Sequence, residues 1–273
     1  MIYALDNVTK HYRTREGVVC ALDGVTLGVR AGERVAVIGR SGAGKTTLFR
    51  LLNATLRPTG GELRFGGREV VRMSGHELRQ MRRRVGTVYQ QHHLVLSLSA
   101  LDNVLCGRLG HWSLLHTLRN AVRPAAAEVE GALAALEAVG LADKRRARAD
   151  ELSGGQQQRL AVARMLVQNP EVILADEPVA SLDPRLAESI IDLMVRLADE
   201  SGRTLVASLH AVNLARRYFP RLVALRQGAV ALDVKADDLS SDVMGEVFID
   251  EPLEGREMPR PHADPRGKLL CVR

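Results

Sequence analysis

The sequence predicts an α/β protein built on a mostly parallel sheet, and three observations carry that prediction. Short apolar, strand-like runs recur at Val35–Ile38, Val85–Tyr89, Val172–Ala175, Leu205–Ser208 and Leu222–Leu225. Segments with helical apolar spacing separate several of them, at Thr46–Leu56, Glu128–Val139, Gln156–Val167 and Arg185–Asp199, with Pro124 and Pro184 where helices can begin. At 273 residues the chain can also bury a full core without disulfides. Alternating strands and helices are what a parallel sheet needs, because each crossover must carry the chain back to the same end.

In chain order, the first thirty residues read as short strands joined by turns, with Glu16-Gly17 as a hairpin-like connection. An antiparallel β element therefore precedes the parallel core. Between Gln90 and Glu151 no strong strand signal appears, and Ala and Leu dominate Ala125–Leu141, which predicts an inserted helical subdomain. The expected organisation is one domain over residues 1–250, with an α/β core of 1–90 and 160–250 and a helical subdomain of 91–159. Residues 251–273 are rich in Pro and charge without periodicity and read as a disordered tail.

Composition narrows the partners. No stretch approaches the roughly 18 consecutive apolar residues of a membrane span, so any membrane role is expected to be peripheral. The N-terminus lacks a basic stretch followed by an apolar one, which points to the cytoplasm. Cys20, Cys106 and Cys271 lie far apart and read as reduced thiols rather than metal ligands. A formal charge of +6 favours an anionic partner. Aromatic residues make up only 3%, with Trp112 the sole tryptophan, so stacking platforms for single-stranded nucleic acid are scarce and no nucleic-acid partner is expected. The basic stretches Arg79–Arg84 and Arg145-Arg146-Arg148 read first as solvated helix faces.

Gly39-Arg40-Ser41-Gly42-Ala43-Gly44-Lys45-Thr46 fits G-x-x-x-x-G-K-[ST] between an expected strand and an expected helix. Its glycines let backbone N–H groups turn toward phosphate oxygens, the helix N-terminus adds its positive end, Lys45 reaches the β- and γ-phosphates and Thr46 ligates Mg²⁺. Thr47 belongs to the same nucleotide-binding set. Val172-Ile173-Leu174-Ala175-Asp176-Glu177-Pro178 is a buried strand ending in two carboxylates, which is costly unless they meet a cation or a water. Beside the phosphate loop, Asp176 suits Mg²⁺, and Glu177 suits polarising the water that attacks the γ-phosphate. Leu152-Ser153-Gly154-Gly155-Gln156 opens another helix, a second anion-binding N-terminus that an ordinary Ser cap would also explain.

These motifs together resemble the ATP-binding-cassette (ABC) ATPases, in which Leu-Ser-Gly-Gly-Gln is the signature. The resemblance runs from about residue 1 to 250 and includes Tyr12, Gln90 at a strand end, Ser181-Leu182-Asp183 and His210. Each of these alone is ordinarily structural; their joint order carries the likeness. It implies an ABC-type P-loop fold with an antiparallel β subdomain, a mixed core sheet and an inserted helical subdomain. It further implies that Tyr12 stacks on adenine, Gln90 senses Mg²⁺ and the attacking water, Asp183 communicates across a dimer and His210 contacts the γ-phosphate. Two copies would pair head to tail, the Ser153–Gly155 turn and Gln156 of one closing over ATP on the other's phosphate loop.

Tyr89–Val95, Leu101–Gly110, Leu174–Pro184 and Val223–Gly228 resemble the ATPase subunits of bacterial phosphonate and phosphite importers, with His92-His93 standing where relatives tend to carry an aromatic-Asn pair. That likeness implies transmembrane permease partners, a solute-binding protein reached indirectly, and a peripheral place on the cytoplasmic face of the inner membrane. Two rivals stay open: a non-transport cassette ATPase attached to phosphonate degradation, and an export or lipoprotein-release ATPase.

Overall fold

The computed structural model describes residues 1–239 other than Glu16, His92 and Ser181, and a short antiparallel pairing of His262–Ala263 with Leu269–Leu270. The rest of the expected tail, Cys271 and one member each of the Glu16-Gly17 and His92-His93 pairs lie outside the described residues.

The expected short N-terminal strands are two long ones, β1 (Tyr3–Thr14) and β2 (Gly17–Val29), paired antiparallel from Thr14 opposite Gly17 to Tyr3 opposite Val29. Register shifts around Val8 and Lys10 bend the ribbon, which hid its length from an alternation pattern. After β3 (Arg34–Ile38) comes helix α1 (Lys45–Leu52), shorter than the apolar spacing suggested. Asn53 ends it: its Oδ1 accepts from Thr55 N at 3.0 Å and Thr55 Oγ1 at 2.7 Å, and Ala54 turns to φ +56°. Strands β4 (Gly60–Phe65) and β5 (Arg68–Glu69) complete a four-stranded sheet in the order β2-β1-β4-β5.

Helix α2 (Gly75–Arg84) starts in a capping box between Ser74 and Glu77 and places Arg82, Arg83 and Arg84 in the last turn, where the helix dipole favours their charge. Part of that basic run is engaged rather than merely solvated: Arg82 donates to Ala54 O at 2.7 Å and Arg84 pairs with Glu171. Then follow β6 (Val85–Tyr89), the helices α3 (Ala100–Leu105), α4 (Leu114–Val122), α5 (Ala126–Ala138) and α6 (Gly154–Val167), and β7 (Val172–Asp176). Helix α6 runs unbroken past residue 159, so the expected subdomain boundary falls inside a continuous helix. The chain closes with α7 (Pro184–Glu200), β8 (Thr204–Leu209), α8 (Val212–Tyr218), β9 (Arg221–Arg226) and β10 (Ala229–Lys235).

The second sheet has the order β10-β9-β3-β8-β7-β6, parallel except for β10. Its residues alternate between two cores. Val35, Val37, Leu174 and Val206 face the side of the antiparallel sheet and α1, while Ala36, Ile38, Ile173 and Ala207 face the helices α3, α5, α6 and α7. Parallel pairing gathers the C-terminal ends of β3, β6, β7 and β8 at one edge, where loops can carry chemistry. Among the described residues no helix is long and apolar enough to cross a membrane.

The chain leaving β6 is held by Asn103, which is fully buried on α3. Its Oδ1 accepts from Val95 N at 2.9 Å, and its Nδ2 is shared among Val95 O at 2.9 Å, Ser99 O at 3.1 Å and Leu98 O at 3.2 Å. Asn103→Ala strands these buried backbone groups, so urea unfolding is expected to lose about 1–3 kcal/mol; an unchanged midpoint would remove Asn103 as the organiser of this segment.

Candidate functional site

One rung of the parallel sheet sets the geometry: Tyr89 stands beside Asp176, Asp176 beside Ser208, and Ser208 beside Val37. The residues just beyond this rung are Gln90, Glu177, His210 and the loop from Gly39, so segments distant in sequence meet at one edge. Strand pairing alone does this.

The loop Gly39–Gly44 passes from β3 into α1. Gly44 is its N-cap at φ +101°, a left-handed conformation disfavoured for side chains, and a Cβ there would meet Ala21 O at 2.5 Å and Leu22 Cδ2 at 2.8 Å. Lys45 is buried; its Nζ donates to Gly39 O at 2.8 Å and Arg40 O at 3.0 Å and lies 3.5 Å from Glu177 Oε1. Burial lowers its pKa, an effect the Glu177 carboxylate partly offsets.

Asp176 is 7% exposed, and burial pushes its carboxyl above the usual aspartate range. The Ser208 hydroxyl, donating to Asp176 Oδ1 at 2.9 Å, opposes that rise, as do the Thr46 hydroxyl and the Lys45 charge. Ser208 Oγ also accepts the Glu177 amide at 2.8 Å. Glu177 itself sits at φ +50°, a strained conformation costing on the order of 1–3 kcal/mol that the sheet edge sustains. Its Oε1 lies 2.7 Å from His210 Nε2. Ser208 is the member that sequence reading missed: a small polar residue near the end of an apolar run looks like core filler, and only its place two residues before His210 marked it.

Gln90 is exposed at the end of β6, beyond Tyr89, whose hydroxyl accepts from Asn53 Nδ2 at 3.1 Å. Tyr12 lies half-buried on β1 opposite Val19, a short way along the hairpin from the Ala21–Leu22 segment that touches Gly44. Ser153 caps α6, accepting the Gln156 amide at 3.3 Å while Gln156 Oε1 accepts the Ser153 amide at 2.9 Å. Asp183 caps α7, its Oδ1 accepting the Leu186 amide at 3.1 Å. Lys45, Thr46, Asp176, Glu177 and His210 are therefore brought together by direct contacts. Ser153–Gln156 and Asp183 stand at the N-termini of two other helices.

The family model described as ABC transporter matches residues 22–180. The phosphonates import ATP-binding protein PhnC 1 of Rhodopseudomonas palustris (strain HaA2) is 42% identical over 90% of this chain and 86% of its own. That of Pseudomonas fluorescens (strain Pf0-1) is 42% identical over 90% and 91%. Among solved structures, the ATP-binding cassette MJ0796 as a dimer in a post-hydrolysis state bound to ADP and Pi is 35% identical, covers 86% of this chain and 98% of its own, and superimposes with a TM-score of 0.73.

The buried Asp176 charge has a measurable sign. Its native pKa lies above the ordinary 3.8, so the folded chain holds this proton more tightly than the unfolded chain and loses stability as pH rises through the native value. Asp176→Asn removes that loss. Its stabilising effect on the nucleotide-free protein is expected to grow between about pH 4 and about pH 7 in urea unfolding, and an effect that shrinks over this range would contradict the burial argument.

Proposed function

Because the chain belongs to the ABC transporter family of ATP-binding proteins, we propose that it is the ATP-hydrolysing, energy-coupling subunit of an importer for phosphonates or a related phosphorus oxyanion. The convergence of Lys45, Asp176, Glu177 and His210 at one sheet edge carries the ATPase reading. The solute class rests on the names of its relatives.

In this reading the backbone N–H groups of Ser41–Thr47 and the α1 N-terminus receive the ATP phosphates, and Lys45 exchanges its two carbonyl acceptors for β- and γ-phosphate oxygens. Tyr12 stacks on adenine. Glu177 takes the proton of the attacking water, and His210, already paired with its carboxylate, holds that carboxylate in place and reaches the γ-phosphate. The left-handed backbone at Glu177 and the hydrogen bond its N–H donates to Ser208 Oγ fix the direction of the carboxylate.

Thr46, Asp176 and Gln90 would hold Mg²⁺. Their hydroxyl, carboxylate and amide oxygens suit a hard cation, and Asp176 is a buried acid whose ionised form gains from one. When bound, Mg²⁺ would neutralise phosphate charge in the transition state.

Ser153, Gly154, Gly155 and Gln156 of one copy close over ATP held by another, and Asp183 communicates between the two sites. Support comes from exposure of Ser153 and Gly154 at a helix N-terminus and from the dimeric state of a cassette with this fold. The division into a core of 1–90 and 160–250 with a helical subdomain of 91–159 belongs to the same reading, as do permease partners, an indirectly engaged solute-binding protein and a peripheral position on the cytoplasmic face of the membrane.

Glu177→Gln is expected to cut turnover at least about 100-fold while keeping ATP and holding the dimer closed; parental turnover would remove Glu177 as base. Lys45→Ala is expected to weaken ATP binding at least about tenfold, about 1.4 kcal/mol, by titration calorimetry, and parental affinity would remove the phosphate-loop assignment. A knockout is expected to lose growth on methylphosphonate or phosphite but not on phosphate, with rescue by the wild type and not by Glu177→Gln. Uptake of labelled compound separates import from degradation, and normal growth on both sources would overturn the solute class.

A further inference from the structure

The two glycines of the Ser153–Gln156 turn differ in what surrounds them. Gly154 is exposed, and a Cβ built there meets nothing within 4 Å. Gly155 is buried inside the first turn of α6; its Cβ would fall inside van der Waals distance of Leu186 Cδ2, with Cδ1 at 3.0 Å and Cγ at 3.1 Å. Neither glycine has a left-handed φ, so the backbone alone does not demand either of them. Leu186 stands in the first turn of α7, and its amide is the one that Asp183 caps. A second tie joins the same helices, Arg159 Nη2 donating to Ser189 Oγ at 2.9 Å.

We propose that Leu186 is a positioning residue: its side chain, seated on the bare Cα of Gly155, fixes the Ser153–Gly155 turn relative to the Asp183 turn so that both meet the partner copy as one rigid edge. The inference rests on the reading of a head-to-tail ATP dimer. Gly154 leaves room for what lies outside the chain, and Gly155 leaves room for Leu186. An added methyl at 155 forces the half-buried Leu186 side chain out of this seat and so breaks the contact that ties the two turns.

The test uses the full chain in the Glu177→Gln background, with ATP-driven dimerisation followed by analytical ultracentrifugation. Gly155→Ala is expected to weaken the dimer on the order of tenfold. Leu186→Ala alone, which empties the seat, is expected to weaken the dimer likewise; combined with Gly155→Ala, which puts a methyl back into the seat without the clashing atoms, it is expected to recover most of both losses, whereas the same change added to Gly154→Ala recovers none. Circular dichroism and the unfolding midpoint check that each variant folds, and a repair of function by a second, cavity-forming substitution cannot come from a generally destabilised protein. A Gly155→Ala protein that dimerises like its parent, or a loss that Leu186→Ala leaves unrepaired, overturns the inference alone. A parent that stays monomeric with ATP overturns the dimer reading and this inference with it.

Discussion

A carboxylate at the end of a buried strand is the constraint on which the rest of the molecule depends. Every residue of β7 is buried, and Asp176 closes it. An ionised group in that position is tolerated only where dipoles and opposite charge surround it. Ser208 from β8, Thr46 and Lys45 from α1 supply them, and they can do so because parallel pairing brings β7, β8 and β3 to a common edge. The strained Glu177 is a consequence of the same arrangement, since the Ser208 hydroxyl that serves Asp176 also receives the Glu177 amide.

From this edge, contacts run outward to the helical insertion. The Tyr89 hydroxyl ties the end of β6 to Asn53 at the end of α1, and its ring packs against His93 with centroids 4.7 Å apart. Arg164 on α6 donates to His93 O at 2.6 Å, and Asn103 on α3 holds the next segment at Val95. Gln90 therefore lies between Tyr89, tied to the end of α1, and His93, tied to α6.

How much of this was legible in the sequence depended on whether the cause was local. The place of the Gly39–Gly44 loop between a strand and a helix was readable because its glycines, the lysine after it and the strand before it are contiguous. The acid pair was readable because two charges end an apolar run. Helix α2 was legible only as a basic helix face at Arg79–Arg84, since its arginines mask any apolar stripe and its start depends on the Ser74–Glu77 box. The end of α1 was overrun because Asn53 stops it through its own side chain. Ser208 was missed because its meaning lies in a neighbouring strand, and the reason for Gly155 was invisible because Leu186 lies a helix and a strand further along the chain.

In the proposed mechanism ATP is hydrolysed in a site built by two copies of this chain. The most direct test is the ATPase rate per chain measured over a wide range of protein concentration at saturating ATP. A dimer-built site predicts a rate per chain that rises with protein concentration and then levels off as dimers saturate. A rate per chain that stays constant down to concentrations at which ultracentrifugation finds only monomer would show that one copy suffices, and would contradict the account.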